Sequence, residues 1–287
     1  MTAWSPCMTR RRHTELQQPC PGPVRCISFA AVSTLARFRD LLTQLILRDL
    51  KSRYKQTFFG ALWVFGRPLV ELGVYVLVFG AFLRAPSDGV PYPLFAFSGV
   101  VLWSFVSGAI SRGARAVQSE AGLVAHAPFP KATLPLAAIV GALIDSALAA
   151  VMMGLLMVVQ HVAPSPQAWL LLPVLLILTM MVTGISLIGS ALNVFYRDVG
   201  HLVDVGMRVW LLLTPVAYAA SVVPPQFKTL YNLNPLVSVF HFSRAALLGN
   251  GDLNALALWY PITVGIVLLA IGIWVFRVTE PYFAETV

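Results

Sequence analysis

Six long apolar runs punctuate this chain and leave it very few ways to fold. They lie at residues 59–83, 93–111, 133–160, 168–194, 205–223 and 255–276. A helix needs about 20 apolar residues to cross a hydrocarbon core about 30 Å thick. In lipid every backbone N–H and C=O must be satisfied within the protein, so only helices and closed barrels span a bilayer. Barrel strands alternate over about 10 residues, and these runs do not alternate. The expected fold class is therefore an all-α integral membrane protein with six transmembrane helices. Composition agrees, since 58% of the 287 residues are hydrophobic and 11% charged, against about 25% charged in soluble domains.

Charge sets the expected orientation. The net charge is +8. In a soluble protein such a balance suggests nucleic acid. Here the basic residues gather at the ends of apolar runs, which indicates an anionic membrane leaflet and no nucleic acid. Sixteen of the 20 Lys and Arg fall on one side, in the N-terminal segment through residue 58, in 112–131, in 196–208 and at the C-terminus. Three fall on the other side, Arg84, Lys228 and Arg244, and Arg67 lies inside the first run. This bias predicts that both termini face the cytoplasm.

Residues 1–35 are polar, basic and rich in proline. They read as a disordered cytoplasmic tail or as an over-extended start. Cys7, Cys20 and Cys26 all lie there, at spacings that fit neither zinc ligands nor a disulfide framework. No metal is expected. Across residues 36–56, Phe38, Leu41, Leu42, Leu45, Ile46 and Leu50 recur at helical spacing, and Arg37, Arg39, Arg48, Lys51, Arg53 and Lys55 fill much of the rest. This pattern predicts an N-terminal amphipathic interface helix lying on the membrane surface. The plainer reading is a basic flank.

The segment between the second and third runs, 112–131, holds a short helical stretch from Glu120 to Ala127, which Pro128 and Pro130 would stop. Residues 224–249 are too apolar for a solvated loop and too broken for a span. Asn234-Pro235 divides them into two short helices, either re-entrant or an interfacial hairpin. Arg67 and Glu71 sit one turn apart in the first run. Charges there are costly. They either line a polar conduit or pair within the helix, with Arg67 reaching the interface. Asp145, a lone acid in the third run, is expected to have a structural partner. No Gly-Lys dipeptide occurs anywhere, so the phosphate cradle G-x-x-x-x-G-K-[ST] is absent and ATP is not bound here in the usual way.

The run from Arg48 to Gly80, RDLKSRYKQTFFGALWVFGRPLVELGVYVLVFG, resembles the membrane subunit of ABC-2 type exporters of polysaccharides and polyol phosphates. Four further stretches are similar to the same family: YPLFAFSG at 92–99, FPKATLP at 129–135, NVFYRD at 193–198 and YNLNPL at 231–236. The resemblance implies a homodimer paired with a separate ATPase, which would bind the ATP and magnesium. It implies a lipid-linked polysaccharide, O-antigen first, as cargo, and the bacterial cytoplasmic membrane as location. This subunit would be no enzyme and would carry no cofactor.

By the same resemblance, Glu120 and His126 belong to a coupling helix. With Arg48, Asp49, Lys51, Arg53 and Tyr54 of the surface helix they would form the contact to the ATPase. A channel built mainly from the first and fifth spans would be lined by Trp63, Arg67, Glu71, Tyr75, Phe79 and Tyr218. The plainer reading of such aromatics is an interfacial belt, which suits Trp169 and Trp259 better. Tyr231, Asn234, Pro235 and Phe240 would belong to paired gate helices. Family members often carry a neutral residue where this chain has Arg67. Two other functions remain open. One is an ABC-2 exporter of drugs or small lipids. The other is a membrane lipid-modifying enzyme, for which Asp198, His201 and Asp204 are spaced as a candidate site.

Overall fold

The computed structural model describes residues 40–49, 51, 62–126, 129–251 and 253–286, and among them the only regular structure is helix. Four helices are long and apolar enough to cross a membrane, namely Tyr92–Ser119, Thr133–Val159, Ala168–Phe195 and Ala255–Tyr282. Two shorter apolar helices accompany them, Pro68–Phe82 and Pro235–Leu248.

The bundle forms around α3 (Tyr92–Ser119). Its most apolar stretch is 72% buried, against 22–44% in the other three long helices. Small residues let the neighbours close in. Gly113 packs against Ser186, and Gly189 against Ala114. Ser186 Oγ donates to Ala109 O at 3.1 Å, and Ser146 Oγ to Val101 O at 3.2 Å. Both bonds join separate helices, and small residues and hydroxyls of this kind hold helices together where lipid supplies no hydrophobic drive. α5 (Thr133–Val159) and α6 (Leu171–Phe195) make the main contacts with α3, and α10 (Trp259–Thr279) lies along α6. Gly184 and Gly272 meet backbone to backbone at that last crossing, so a side chain at either would collide with the facing helix.

The helices before α3 are looser. α1 (residues 40–49) turns Leu41, Leu42, Leu45 and Ile46 onto a cluster built from Ala116 and Val117 of α3, Leu134 and Ala137 of α5, and Phe276. Leu45 is buried there, Leu41, Leu42 and Ile46 are half-buried and Leu47 is exposed, so protein covers part of the stripe that the sequence places at the membrane surface. Residues 36–39, 50 and 52–56 of the expected interface helix lie outside the described residues, as do the tail 1–35 and the start of the first run. α2 (Leu62–Tyr75) holds Pro68 and then widens into a π-helical stretch, Val76–Phe82. Leu83 N donates to Val78 O at 3.0 Å, five residues back.

α3 continues well beyond the expected end at residue 111, so Arg112 and Arg115 are helical rather than in a loop. α4 (Ala121–His126) follows directly, within the expected 120–127 stretch. The expected fifth span, 205–223, is not one helix. α7 runs from Asp198 to Leu213 and stops. Thr214 takes φ −110° and ψ 140° ahead of Pro215, because proline disfavours the helical region for its predecessor and offers no N–H of its own. The chain then passes through short turns to α8 (Lys228–Asn232) and α9 (Pro235–Leu248). The division at Asn234-Pro235 is as read from the sequence. Asn234 caps α9 by accepting from Leu236 N at 3.1 Å, with proline in the first turn. Gly249 closes the helix at φ 72°. A short terminal helix, α11 (Phe283–Thr286), packs its buried Phe283 ring edge-on against Phe276 at 5.3 Å.

Candidate functional site

Two polar assemblies stand at opposite ends of the bundle, and α7 runs between them. At the α1 end, Arg48, Arg112 and Arg115 each meet an acid from another element. Arg48 pairs with Glu120, tying α1 to the turn before α4. Arg112 Nη1 reaches Asp145 Oδ2 of α5 at 2.7 Å, and its Nε donates to Gly108 O at 3.1 Å. Asp145 thus has the structural partner expected of it. Arg115 pairs with Asp204 of α7 and donates to Gly200 O at 3.0 Å. Asn193 completes the corner, donating from Nδ2 to Gln118 Oε1 at 2.7 Å and accepting from Gly200 N at 2.8 Å. A cavity of about 430 Å3 opens between α1, α3 and α5, with Arg48, Arg112, Arg115 and Glu120 in its wall. Lys131 joins the last turns of the chain to this end, its backbone N–H donating to Glu280 Oε1 at 2.9 Å and its Nζ to Glu280 O at 3.2 Å.

The far end works differently. Arg244 of α9 is 8% exposed. Its Nη2 donates to Val216 O at 2.7 Å, its Nε to Ser98 Oγ at 3.4 Å, and its Cζ lies 3.8 Å from the centre of the Phe95 ring. Gly99 leaves room for the guanidinium, since a Cβ there would come within 2.7 Å of Nη2. Asn234 holds the end of α7, donating to Leu213 O and to Thr214 Oγ1, both at 3.1 Å, and accepting from Trp210 Nε1 at 3.0 Å. Of the carbonyls released where α7 stops, Leu213 O is therefore claimed by the α8–α9 hairpin, while Tyr218 OH takes Leu212 O and Thr214 takes Leu211 O and Trp210 O. Tyr92 OH adds a bond to Ala217 O at 2.7 Å, and Tyr260 OH one to Leu233 O at 2.6 Å.

The expected channel residues are distributed unevenly. The side chains of Trp63 and Arg67 lie outside the described residues. Glu71 is half-buried on α2. Tyr75 and Phe79 sit with rings 6.1 Å apart, and Tyr75 packs into the main core. Tyr218 lies at the far end, donating to Leu212 O at 3.0 Å with its ring 6.4 Å from that of Tyr231. Among the described residues no ring contact joins the pair on α2 to the pair at the far end. The exposed residues of α2 and the π-helical stretch include Leu69, Val70, Val74 and Leu77, and those of α7 include Leu202, Val205, Val209 and Leu212 together with His201 and Arg208.

Of the expected coupling residues, Arg48 and Glu120 meet directly, Asp49 is half-buried and Lys51 exposed. Arg53, Tyr54 and the His126 side chain lie outside the described residues. Of the gate residues, Phe240 is fully buried, and Tyr231 buries its hydroxyl with no hydrogen-bond partner. Asp198 and His201, the other members of the candidate enzymatic cluster, are exposed while Arg115 occupies Asp204.

Sequence reasoning missed Arg244 and Trp210 as structural contacts. Arg244 entered only as one of three charges on its side. The signal for its role was an arginine inside an otherwise apolar helix, a placement that demands partners.

The described residues form a bundle with four helices long and apolar enough to cross a membrane, and its polar groups bind those helices together. Residues 40–248 match the model of the ABC-2 type transporter family, and the chain belongs to that family. It is 30% identical to the O-antigen export system permease protein RfbA of Myxococcus xanthus, over 89% of this chain and 98% of that protein. A protein of the same name from Klebsiella pneumoniae is 29% identical, over 86% of this chain and 94% of its own length. The polysialic acid transport protein KpsM of Escherichia coli is 22% identical, over 82% and 92% respectively. By name these relatives are permease and transport proteins.

Proposed function

We propose that this chain is the membrane subunit of an ATP-driven exporter that carries a lipid-linked polysaccharide, O-antigen in the first instance, across the bacterial cytoplasmic membrane. The observation that carries the proposal is the near full-length likeness to O-antigen export permeases, which extends over 98% of the Myxococcus protein. The absence of a G-x-x-x-x-G-K-[ST] cradle from the sequence supports a separate ATPase subunit as the place where ATP and magnesium would bind. Two copies of this chain would face each other across their α2 and α7 surfaces and enclose the conduit. α2 and the segment from α7 to residue 223 would complete six crossings with the four long helices. The α8–α9 hairpin would re-enter from the outer side, and both termini would lie in the cytoplasm with α1 and α4. Docking of the ATPase on α1 and α4 would move the paired ends of α3, α5 and α7 as rigid bodies.

The test is loss of surface polysaccharide, read by immunoblot, when the partner ATPase is deleted or its Walker lysine replaced. Export is expected to cease in both strains. Normal surface polysaccharide in either would remove the coupling claim. The aliphatic side chains exposed on α2 and α7 favour a second cargo, a small lipid or drug without a glycan. Restoration of O-antigen in a strain lacking its own permease, when this chain and its ATPase are supplied together, would decide for the polysaccharide.

A further inference from the structure

The half of the bundle away from α1 holds a groove of about 830 Å3 that the proposed conduit does not use. α3, α5, the start of α6 and α9 form its walls. Its floor is a strip of small residues on one face of α5, Ala147, Ala150 and Gly154, and a Cβ added at Gly154 would meet nothing within 4 Å. Met153 and Met157 stand beside the strip.

Three serines reach this groove, and none asks anything of an occupant. Ser98 Oγ donates to Phe95 O at 2.8 Å, Ser146 Oγ to Val101 O at 3.2 Å, and Ser243 Oγ to Phe240 O at 2.8 Å. The rest of the wall is apolar except His161, which stands at the rim where the chain leaves α5. Val151, Leu155 and Leu172, on the same two helices that frame the rim, are exposed. In a membrane-spanning bundle such surfaces face hydrocarbon. A groove whose hydroxyl protons are already used and whose lining is otherwise apolar below the His161 rim does not hold water well, and the surrounding medium supplies chains instead.

Length selects among chains. From Leu143 to Val158 the groove follows α5 for about 22 Å at 1.5 Å per residue. One leaflet of a core about 30 Å thick is about 15 Å deep. The groove therefore accepts a leaflet-deep chain together with its attachment point at the rim, and is short for a polyprenyl chain.

We propose that this groove is a lipid site, seating one acyl chain of a bilayer phospholipid with its headgroup at the His161 rim. The chain completes the wall behind α9, which contributes Ser243 and Leu247 to the groove and accepts from Ser165 N at Leu247 O, 3.0 Å away. The inference needs only that the protein resides in a membrane, and it stands or falls independently of the cargo.

The experiment uses the full-length protein in vesicles of phosphatidylethanolamine and phosphatidylglycerol. A small fraction of the phosphatidylglycerol carries a photoreactive diazirine near the end of one acyl chain. After illumination, peptides are mapped by mass spectrometry. Adducts are expected on Met153 and Met157 at about tenfold the level on the exposed α10 face at Val267 and Trp274, a ratio of ten being a modest binding preference. Gly154→Phe and Ala150→Leu, which fill the groove from its floor, are expected to bring groove labelling down to the α10 level while both proteins elute as the wild type does. Equal labelling of groove and α10 face in the wild type would overturn the proposal. So would undiminished groove labelling in whichever filled variant folds. A parallel arm uses a diazirine polyprenyl phosphate, and preferential labelling of the groove by that probe would overturn the acyl assignment.

Discussion

The two ends of α7 are held by different kinds of bond. At the α1 end, Asp204 is gripped by Arg115, and the neighbouring arginines meet acids across the helices. These side chains are between a quarter and just over half exposed. At the far end, Asn234 and Arg244 bond to carbonyls and hydroxyls, and the one charge involved is buried. Half-exposed ion pairs are worth little and exchange partners readily. A buried donor leaves an unsatisfied carbonyl behind when it is withdrawn. One end of α7 is therefore built to be re-paired, and the other to stay attached to its hairpin.

This contrast is breakable, and the largest effect is expected at Arg244. Arg244→Met removes two hydrogen bonds from a charged donor, and a loss of about 3 kcal/mol is expected at roughly 1.5–3 kcal/mol for each such bond. Thermal unfolding of the detergent-solubilised protein, followed by size exclusion, measures it. Arg244→Lys is expected to recover less than half, since an ammonium cannot reproduce both bonds and the stacking on Phe95. Next comes Asn234→Ala, which removes a helix cap and the grip on α7, with an expected cost of about 2 kcal/mol, of which the cap accounts for roughly 1.

The α1 end should respond more weakly and with salt dependence. A double-mutant cycle on Arg112 and Asp145 is expected to return a coupling of about 1 kcal/mol, the upper range for accessible pairs. Raising the salt concentration should shrink it. A coupling as large as the Arg244 effect would erase the distinction between the ends. Smallest of all is Tyr231→Phe, which deletes a buried hydroxyl without a partner and is expected to be neutral or to stabilise by up to about 1 kcal/mol. A clear loss there would mean that the hydroxyl is bonded.

The long helices were legible because their signal is local. The expected spans at 133–160 and 168–194 coincide with α5 and with α6 and its lead-in turn almost to the residue. Hydropathy failed where backbone geometry took over. The run 205–223 is apolar apart from Arg208 near its start, yet Pro215 divides it. α3 continues past 111 because the charges that ended the apolar window are neutralised by partners 33 and 89 residues further on. The hairpin division was readable because Asn-Pro is a local cap signal. Arg244 was not, since its partners lie 28 and 146 residues away and offer no complementary charge to search for. The aromatic conduit residues were chosen by spacing along a regular helix. In α2 the π-helical stretch alters that spacing beyond Tyr75.

The packing of α1 has a mechanical consequence. A helix whose apolar side rests in lipid behaves as a float, and a force on it is dissipated in a fluid. Leu41, Leu42, Leu45 and Ile46 rest instead on Ala116, Val117, Leu134 and Ala137. Close-packed interiors have low compressibility and transmit strain. A push delivered to α1 would thus meet α3 and α5 directly through these contacts.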